Sequence, residues 1–505
     1  MSKQRLYPST QIRSLEKRFA EVDPPLMERA GRAAANAAAA LLEGAVGAVL
    51  VLAGPGNNGG DGFVLARCLR AAGREVSLVC VADPARLPRD AAAAYEAWRR
   101  AGGETLTTIP DREWSLVVDA IFGIGVSRPA EGVYADWIDW CRRQPAPVLA
   151  LDVPSGLDAD TGRVFGVAIR ARQTVTFIGR KPGLFTLDGP DHAGEVLLAD
   201  LDLRAADEDD KGCEDDKDDE DRRGSGELLS VATLTPCLRA RPQNSHKGSW
   251  GEVGILGGSP GMLGAAFLAA RAALMLGAGK VFAGCLDPQA PGLDLLHPEI
   301  MFRPAHELGG LASVLAIGPG LGRSEEARSA LGTALAFDAP LICDADALNL
   351  IAQDAALASR VAARAAPTVL TPHPAEAARL LGCETAEVQA DRIRACRELA
   401  SRFKAHVVLK GAGSVIADPD GAWAINPSGN AGLASAGSGD VLTGMVASLI
   451  AQGWPTGLAL RGGVHLHGAA ADARVAEGIG PMGLTAGELA PAARRLINAW
   501  VAESD

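Results

Sequence analysis

Residues 48–67 read AVLVLAGPGNNGGDGFVLAR. A near-continuous apolar run gives way to a glycine-rich turn, and a helical stretch then opens at about 61–73. A strand that is apolar on both faces and feeds a helix is the building unit of a covered parallel sheet. Gly54, Gly56 and Gly59 satisfy G-x-G-x-x-G, the dinucleotide-binding signal. Pro55 and the pair Asn57-Asn58 are not typical of that signal. Two other readings stay open. The backbone amides, the Asn side chains and Asp61 could grip a polar ligand or ion directly, or the stretch could be a plain glycine turn with Asp61 as the helix cap.

Working outward, the same alternation recurs. Strands are expected at 75–82, 116–123, 147–154, 174–179 and 195–203, with helices at 88–102 and 131–143. A helix at about 24–43 is expected to start on Asp23 as cap, with Pro24 and Pro25 in its first turn. Residues 207–223, DEDDKGCEDDKDDEDRR, then break the pattern. They carry −7 of the net −12, which leaves −5 for the rest of the chain. So self-repelling a run reads as a solvated linker over 205–226. Beyond it the grammar restarts. Strands are expected at 251–257, 280–286, 312–318, 339–345, 367–371 and 406–410, then a hairpin over 414–425 turning on Pro419-Asp420-Gly421. Helices are expected at about 264–278, 324–336, 375–382, 387–404, 440–452, 456–475 and 485–503. The expected organisation is α/β: two three-layer αβα domains, 1–204 and 227–505, joined by the acidic linker.

Composition narrows the classes. Of the 505 residues 48% are hydrophobic and 22% charged, as in ordinary globular proteins. No apolar window is long enough for a membrane span. The first residues lack the apolar core of a signal peptide, so a cytoplasmic location is expected. Nine scattered cysteines without a C-x-x-C pair suit reduced thiols, not a disulfide framework or zinc site. The charge balance gives no basic footprint for nucleic acid.

Further polar clusters fall at strand ends, where open parallel sheets bind ligands. LVVDAIFGIGVSRP places Asp119 in a strand and Gly123, Gly125 and Arg128 in the loop after it. LALDVPSGLDADTG places Asp152 and Ser155 just past another strand. Together with the first loop they converge on one crevice. GNNGGDG, DAIFGIGVSRP, LDVPSGLDADTG and TVTFIGRKPGL jointly resemble the NAD(P)H-hydrate epimerase domain, over nearly all of 10–203. The resemblance implies a Rossmann-like fold that interconverts the R and S forms of hydrated nicotinamide cofactors. It implies a K+ ion held by Asn58, Asp119 and Ser155. Substrate contacts would come from Asn57, Asn58, Gly59, Gly60 and Asp61, from Gly123, Ile124, Gly125, Val126, Ser127, Arg128 and Pro129, and from Asp152. Moving a hydroxyl from one face of C6 to the other needs a carboxyl that shuttles a proton, and Asp152 is the candidate.

The second half collects GGSPGMLG, AIGPGLG (316–322), CDADALN (343–349), LTPHPAE (370–376), LKGAG (409–413) and GSGDVLTG (437–444) at strand or loop ends. No Walker A motif is present. Asp440 reads either as a helix N-cap or as a base beside an anion-binding glycine loop. His373, between two prolines, reads either as a surface-loop histidine or as a ligand contact. HKGSWGEVGILGG, TPHPAE, VVLKGAG and GSGDVLTGMVASLIAQG are similar to the ribokinase-like superfamily, most closely its ADP-dependent NAD(P)H-hydrate dehydratase branch, over about 244–475. Two departures, Ala436 for a glycine and Ala375 in PHPAE, remove no reactive group. The resemblance implies phosphates held at Gly437–Gly439 and Asp440 as base. It implies nucleotide contacts from Lys410, Gly411, Ala412, Gly413, Ser414 and Gly439, and hydrate contacts from Ala265, Gly320, His373 and Asp440. Mg2+ with ADP is expected for phosphoryl transfer.

The reading reached from sequence is a repair enzyme for NADHX and NADPHX. One domain epimerises the hydrate, and the other dehydrates the S form at the expense of ADP. ADP against ATP is left open, and a homo-oligomer is expected. The rival is a ribokinase-like small-molecule kinase fused to a Rossmann-like ligand-sensing domain, which would release a stable phosphorylated product. A dehydrogenase rests only on the weak glycine match.

Overall fold

Val49, Val51 and Ala53 point to one side of their strand, and Ala48, Leu50 and Leu52 to the other. In a computed structural model, which describes residues 4–44, 47–203 and 224–504, both sides are covered. The first set packs on the helices Leu26–Leu41 and Asn57–Ala71. The second set packs on Trp137, Ile138 and Cys141 of the helix Val133–Arg143. Helix, sheet and helix therefore make three layers. Each fully buried Val or Leu contributes roughly 1.5–3 kcal/mol.

The chain divides into two units, Met1–Glu227 and Leu228–Asp505. The first has a seven-stranded sheet. Its order is Thr105–Leu106, Val76–Val79, Val49–Ala53, Leu116–Ala120, Val148–Leu151, Gln173–Phe177 and Glu195–Ala199, all parallel. From Val49–Ala53 the chain adds strands on one side, then returns to add the rest on the other. A crevice opens where the order reverses, between Val49–Ala53 and Leu116–Ala120.

In the second unit the order is Trp423–Ile425, Val415–Ala417, His406–Leu409, Thr368–Leu370, Leu341–Cys343, Val314–Ile317, Glu252–Gly257, Lys280–Cys285 and Met301–Phe302. The strands from His406–Leu409 onward are parallel, and the hairpin strands pair antiparallel, with Gly226–Leu228 beyond Trp423–Ile425. Here the order reverses between Glu252–Gly257 and Val314–Ile317. Val253 and Ile255 pack under alanines of the helix Leu263–Met275 and under Leu442, Val446 and Ala447 of the helix Ser438–Ala451. Those two helices nearly touch. A Cβ on Gly444 would lie 2.0 Å from the Ala269 carbonyl oxygen, so only glycine fits there.

The expected architecture of two α/β units with mainly parallel sheets is what the chain adopts. Several expected details are corrected. The first long helix starts at Leu26 with Pro25 at its cap, and Asp23 does not cap it. Pro24 precedes another proline, which bars it from helical backbone. The strand expected to reach 154 ends at Leu151, because Asp152 turns to φ +65°. The strand expected to reach 203 ends at Ala199, because Leu201 and Asp202 have φ +54° and +56°. The helix expected over 387–404 is two, Thr385–Ala390 and Arg392–Phe403, broken at Asp391, which caps the second by accepting from Arg394 N at 2.9 Å. Most of the expected linker, 204–223, lies outside the described residues.

Candidate active sites

A cavity of about 620 Å³ opens at the carboxyl ends of the first unit's strands. Asn57, Asn58 and Asp61 line it, with Gly123 through Pro129, Asp152 and Lys181. Gly59 and Gly60 turn into the protein instead. A Cβ on Gly59 would lie 2.2 Å from the Gly54 carbonyl oxygen, and one on Gly60 would strike Met27. The helix begins at Asn57 with Gly56 at its cap, so Asp61 is not the cap. Burial, then the charges of Asp152 and Glu16, push the Asp61 carboxyl well above the usual range.

Asp119 and Ser155 sit beneath the cavity floor, both fully buried. Ser155 Oγ donates to Asp119 Oδ1 at 2.6 Å, and Ser155 N to Oδ2 at 2.8 Å. Burial still raises Asp119 to about 6, against the pull of those bonds. Asn58 is buried too, yet its amide oxygen and nitrogen both lack a hydrogen-bond partner in the protein. A buried amide without a partner is costly unless something fills the place. That unpaired Oδ1 is an oxygen of the kind a monovalent cation takes as ligand.

Asp152 Oδ1 accepts from Lys181 Nζ, from Phe177 N at 3.2 Å and from Thr176 Oγ1 at 3.4 Å. Its other oxygen lies 3.4 Å from where a Cβ on Gly123 would stand, and Asn58 Cγ is 3.6 Å from the same point. Three separate strand ends thus meet in one place. Lys181 was not singled out from the sequence. Its signal was present in TVTFIGRKPGL, but a lysine between an arginine and a proline reads as solvated.

In the second unit the hub is Asp344, 1% exposed. Its Oδ1 accepts from Thr371 Oγ1 at 2.7 Å and Lys410 Nζ at 2.9 Å, and its Oδ2 from Thr443 Oγ1 at 2.9 Å. Burial works against its charge, but Lys410 and these bonds hold the carboxyl below its ordinary value. The same pairing raises Lys410 despite burial. Asp440 lies in the first turn of Ser438–Ala451, behind Gly437 at φ +88°. The cap position is Gly437, so Asp440 is not the N-cap. Burial first, and the Asp344 charge second, push Asp440 up to about 7.

Some of the remaining expected residues lie beside Lys410, and others pack against one another. A Cβ on Gly439 would lie 3.2 Å from Lys410 Nζ, and one on Gly320 would lie 3.2 Å from Ala265 Cβ. Lys410 N donates to Pro372 O at 2.9 Å, next to His373. His373 caps the helix Pro374–Leu381, its Nδ1 accepting from Ala375 N at 3.1 Å and Glu376 N at 3.3 Å. Burial, then Lys410, lower the pKa of its ring. In the loop Lys410–Ser414, Ser414 Oγ donates to Gly411 O at 3.0 Å, and a Cβ on Gly411 would meet the buried Arg392 guanidinium at 2.7 Å. Asp344 and Arg392 were not chosen from sequence; DADALN was quoted without naming which acid is buried.

Two family models match this chain. Residues 24–183 match the one described as YjeF-related protein N-terminus, and residues 253–491 match NAD(P)H-hydrate dehydratase. A bifunctional NAD(P)H-hydrate repair enzyme of Escherichia coli is 38% identical over 466 residues, covering 90% of this chain and 86% of that one. The Coxiella burnetii enzyme of the same description is 38% identical over 512 residues, 98% and 99% of the two chains. The chain belongs to the bifunctional NAD(P)H-hydrate repair enzymes. The family reaches eukaryotes: the Leishmania major repair enzyme is 36% identical over 520 residues, 94% of this chain and 89% of its own. Among solved structures, an ADP/ATP-dependent NAD(P)H-hydrate dehydratase of Bacillus subtilis, co-crystallised with ATP/Mg2+, is 31% identical, covers 54% of this chain and 98% of its own, and has a TM-score of 0.47. Among the described residues of this repair-enzyme chain, no helix is long and apolar enough to cross a membrane.

Proposed function

We propose that the chain repairs hydrated NADH and NADPH in two steps, epimerising the hydrate over residues 1–204 and dehydrating its S form with ADP over 227–505. The carrying observation is that each unit sets one acid, Asp152 or Asp440, behind glycine-rich loops at the carboxyl edge of its sheet. Membership of the repair-enzyme family supports the pairing of the two steps in one chain.

In the first unit the ring nitrogen's lone pair expels the C6 hydroxyl as the C–O bond breaks. Hydroxide leaves as water by taking a proton, and water re-adds to the opposite face by giving one up. Asp152 faces the developing positive charge on the ring and takes that proton. Asn58, Asp119 and Ser155 are the residues that would hold K+, and Asn58's partnerless buried amide favours it. An ion there would supply a fixed charge that orients the loop.

In the second unit Asp440, near 7, takes the proton of the C6 hydroxyl. The freed oxygen attacks the terminal phosphorus of ADP, and AMP leaves. Phosphate then leaves C6 as a proton is lost from C5, restoring the reduced ring. Lys410 and the amides of Gly437–Gly439 would hold the phosphates, since a helix start suits anions. Mg2+ would neutralise charge between the phosphates. A reducing, cytoplasmic setting suits the free cysteines.

The test is a mixture of R and S hydrates incubated with the chain, K+, Mg2+ and ADP, following the reduced-nicotinamide absorbance. Complete recovery supports both steps. Recovery of the S fraction alone would remove the epimerase assignment. A stable phosphorylated product in place of free phosphate would favour the small-molecule kinase.

A further inference from the structure

Four carboxyls, Glu16, Asp61, Glu131 and Asp152, line the first unit's cavity together with Lys181, Arg13 and Arg128. Glu16, Asp61 and Asp152 come from three elements: the helix Ser9–Arg18, the helix Asn57–Ala71 and the turn after the strand Val148–Leu151. Like charges crowded round one space disfavour one another's ionised form, and a cation seated on one of them favours it.

Lys181 sits on Asp152. Its side chain is fully buried, and its ammonium donates to Asp152 Oδ1, to Thr176 Oγ1 at 3.1 Å and to the Phe177 carbonyl at 2.7 Å. All three of its donors are thereby used, which fixes the head group in place. The same geometry divides the two oxygens of Asp152. Oδ1 is committed to Lys181, Phe177 N and Thr176 Oγ1. Oδ2 is left towards the Gly123 loop, where the cavity opens. Asp152 holds this pose with φ +65°, a backbone conformation that side chains other than glycine's adopt rarely.

We propose that Lys181 is the positioning residue of the epimerase site: it holds Asp152 by Oδ1 and leaves Oδ2 as the oxygen that meets the nicotinamide ring. The proposal rests on the epimerase reading above. Oδ2 stands against the positive ring formed when the C6–O bond breaks, and it accepts the proton of the water that returns. Asp61, whose carboxyl burial and its acidic neighbours push well above the usual range, is the group placed to supply the proton that carries hydroxide away as water. Without Lys181 the buried Asp152 carboxyl loses its fixed partner, and Oδ2 loses its aim at the ring.

The experiment uses the full chain and the pure R epimer of hydrated NADH, with saturating ADP, Mg2+ and K+, so that NADH appears at the epimerase rate. The S epimer, assayed alongside, reports the second unit and serves as an internal control. Lys181→Met is expected to lower the R-driven kcat roughly 100-fold, the range of one proton-transfer group, with KM within about threefold of wild type and the S-driven rate unchanged. Should Lys181→Met destabilise the first unit, the Asp152→Asn/Lys181→Met double variant buries no unpaired charge and melts higher. In that background the lysine change is expected to cost less than about twofold beyond Asp152→Asn, because Lys181 acts through Asp152. An R-driven kcat within about threefold of wild type in Lys181→Met overturns the proposal. So does a KM that rises as much as kcat falls, or a double variant whose losses multiply. A wild-type chain that never consumes the R epimer overturns the epimerase reading itself, which is a separate result.

Discussion

Lys410 Nζ lies 2.9 Å from Asp344 Oδ1, and Asp344 Oδ2 in turn holds Thr443 one turn along from Asp440. One fully buried carboxylate therefore ties the strand-end loop that begins at Lys410 to the helix that carries the proposed base. Its charge has two consequences. It anchors the lysine beside Gly439, and it raises Asp440. A site that needs a base active near neutral pH gains from a second acid close by.

The pH profile of the dehydratase step follows. The base form of Asp440 is required, and its pKa is about 7, so kcat for the S epimer should rise through that pH and level off above it. Asp344→Asn removes the like charge and frees Lys410 to face Asp440. Both effects lower the Asp440 pKa, so the acid limb should move to lower pH while the plateau falls with the misplaced lysine. A wild-type limb at the ordinary carboxylate pH would contradict the burial argument.

Gly437 is where backbone geometry and anion binding coincide. At φ +88°, and with an added Cβ 2.5 Å from Leu268 Cδ1, alanine there should cost roughly 1–3 kcal/mol of strain. Displacing the loop amides should raise the ADP KM about tenfold, the value of one hydrogen bond to a charged group. Steady-state kinetics with varied ADP checks this, and the R–S interconversion rate should stay unchanged.

Potassium should act on the first unit alone. Asp119 has a folded pKa of about 6 against an ordinary 3.8, so burying its charge costs stability that grows as pH rises from about 4 to 6 and is constant above. A cation bound there offsets that cost only where Asp119 is ionised. Added KCl should therefore raise the melting temperature more at pH 7.5 than at pH 5, by roughly 2–4 °C at ten times the dissociation constant. Asn58→Ala should remove the difference, and sodium in place of potassium should slow epimerisation without slowing dehydration.

The strands were legible because stretches such as VLVLA (49–53) and LVVDA (116–120) are buried on both faces and so read as unbroken apolar runs. Loops at their carboxyl ends pointed to both crevices. The two-residue strand Thr105–Leu106 carries no pattern to read. The helices Asp346–Gln353 and Ala355–Ala362 are additional to the expected ones, since CDADALN (343–349) reads as the end of the strand expected over 339–345. Asp61 and Asp440 each had two readings, cap or site, and only the structure puts glycines at the caps. Lys181 and Asp344 owe their importance to partners 29 and 66 residues away, a distance at which one sequence carries no pairing signal.

The central claim is that one hydrated ring is served by two acids in two crevices. It is tested most directly by giving the pure R epimer with ADP, Mg2+ and K+ to the wild-type, Asp152→Asn and Asp440→Asn chains, following both epimers and NADH. Wild type should convert all of it to NADH. Asp152→Asn should slow R consumption by roughly 100-fold or more while still clearing added S, and Asp440→Asn should equilibrate R with S and make no NADH. Wild-type NADH production from R in either variant would contradict the account.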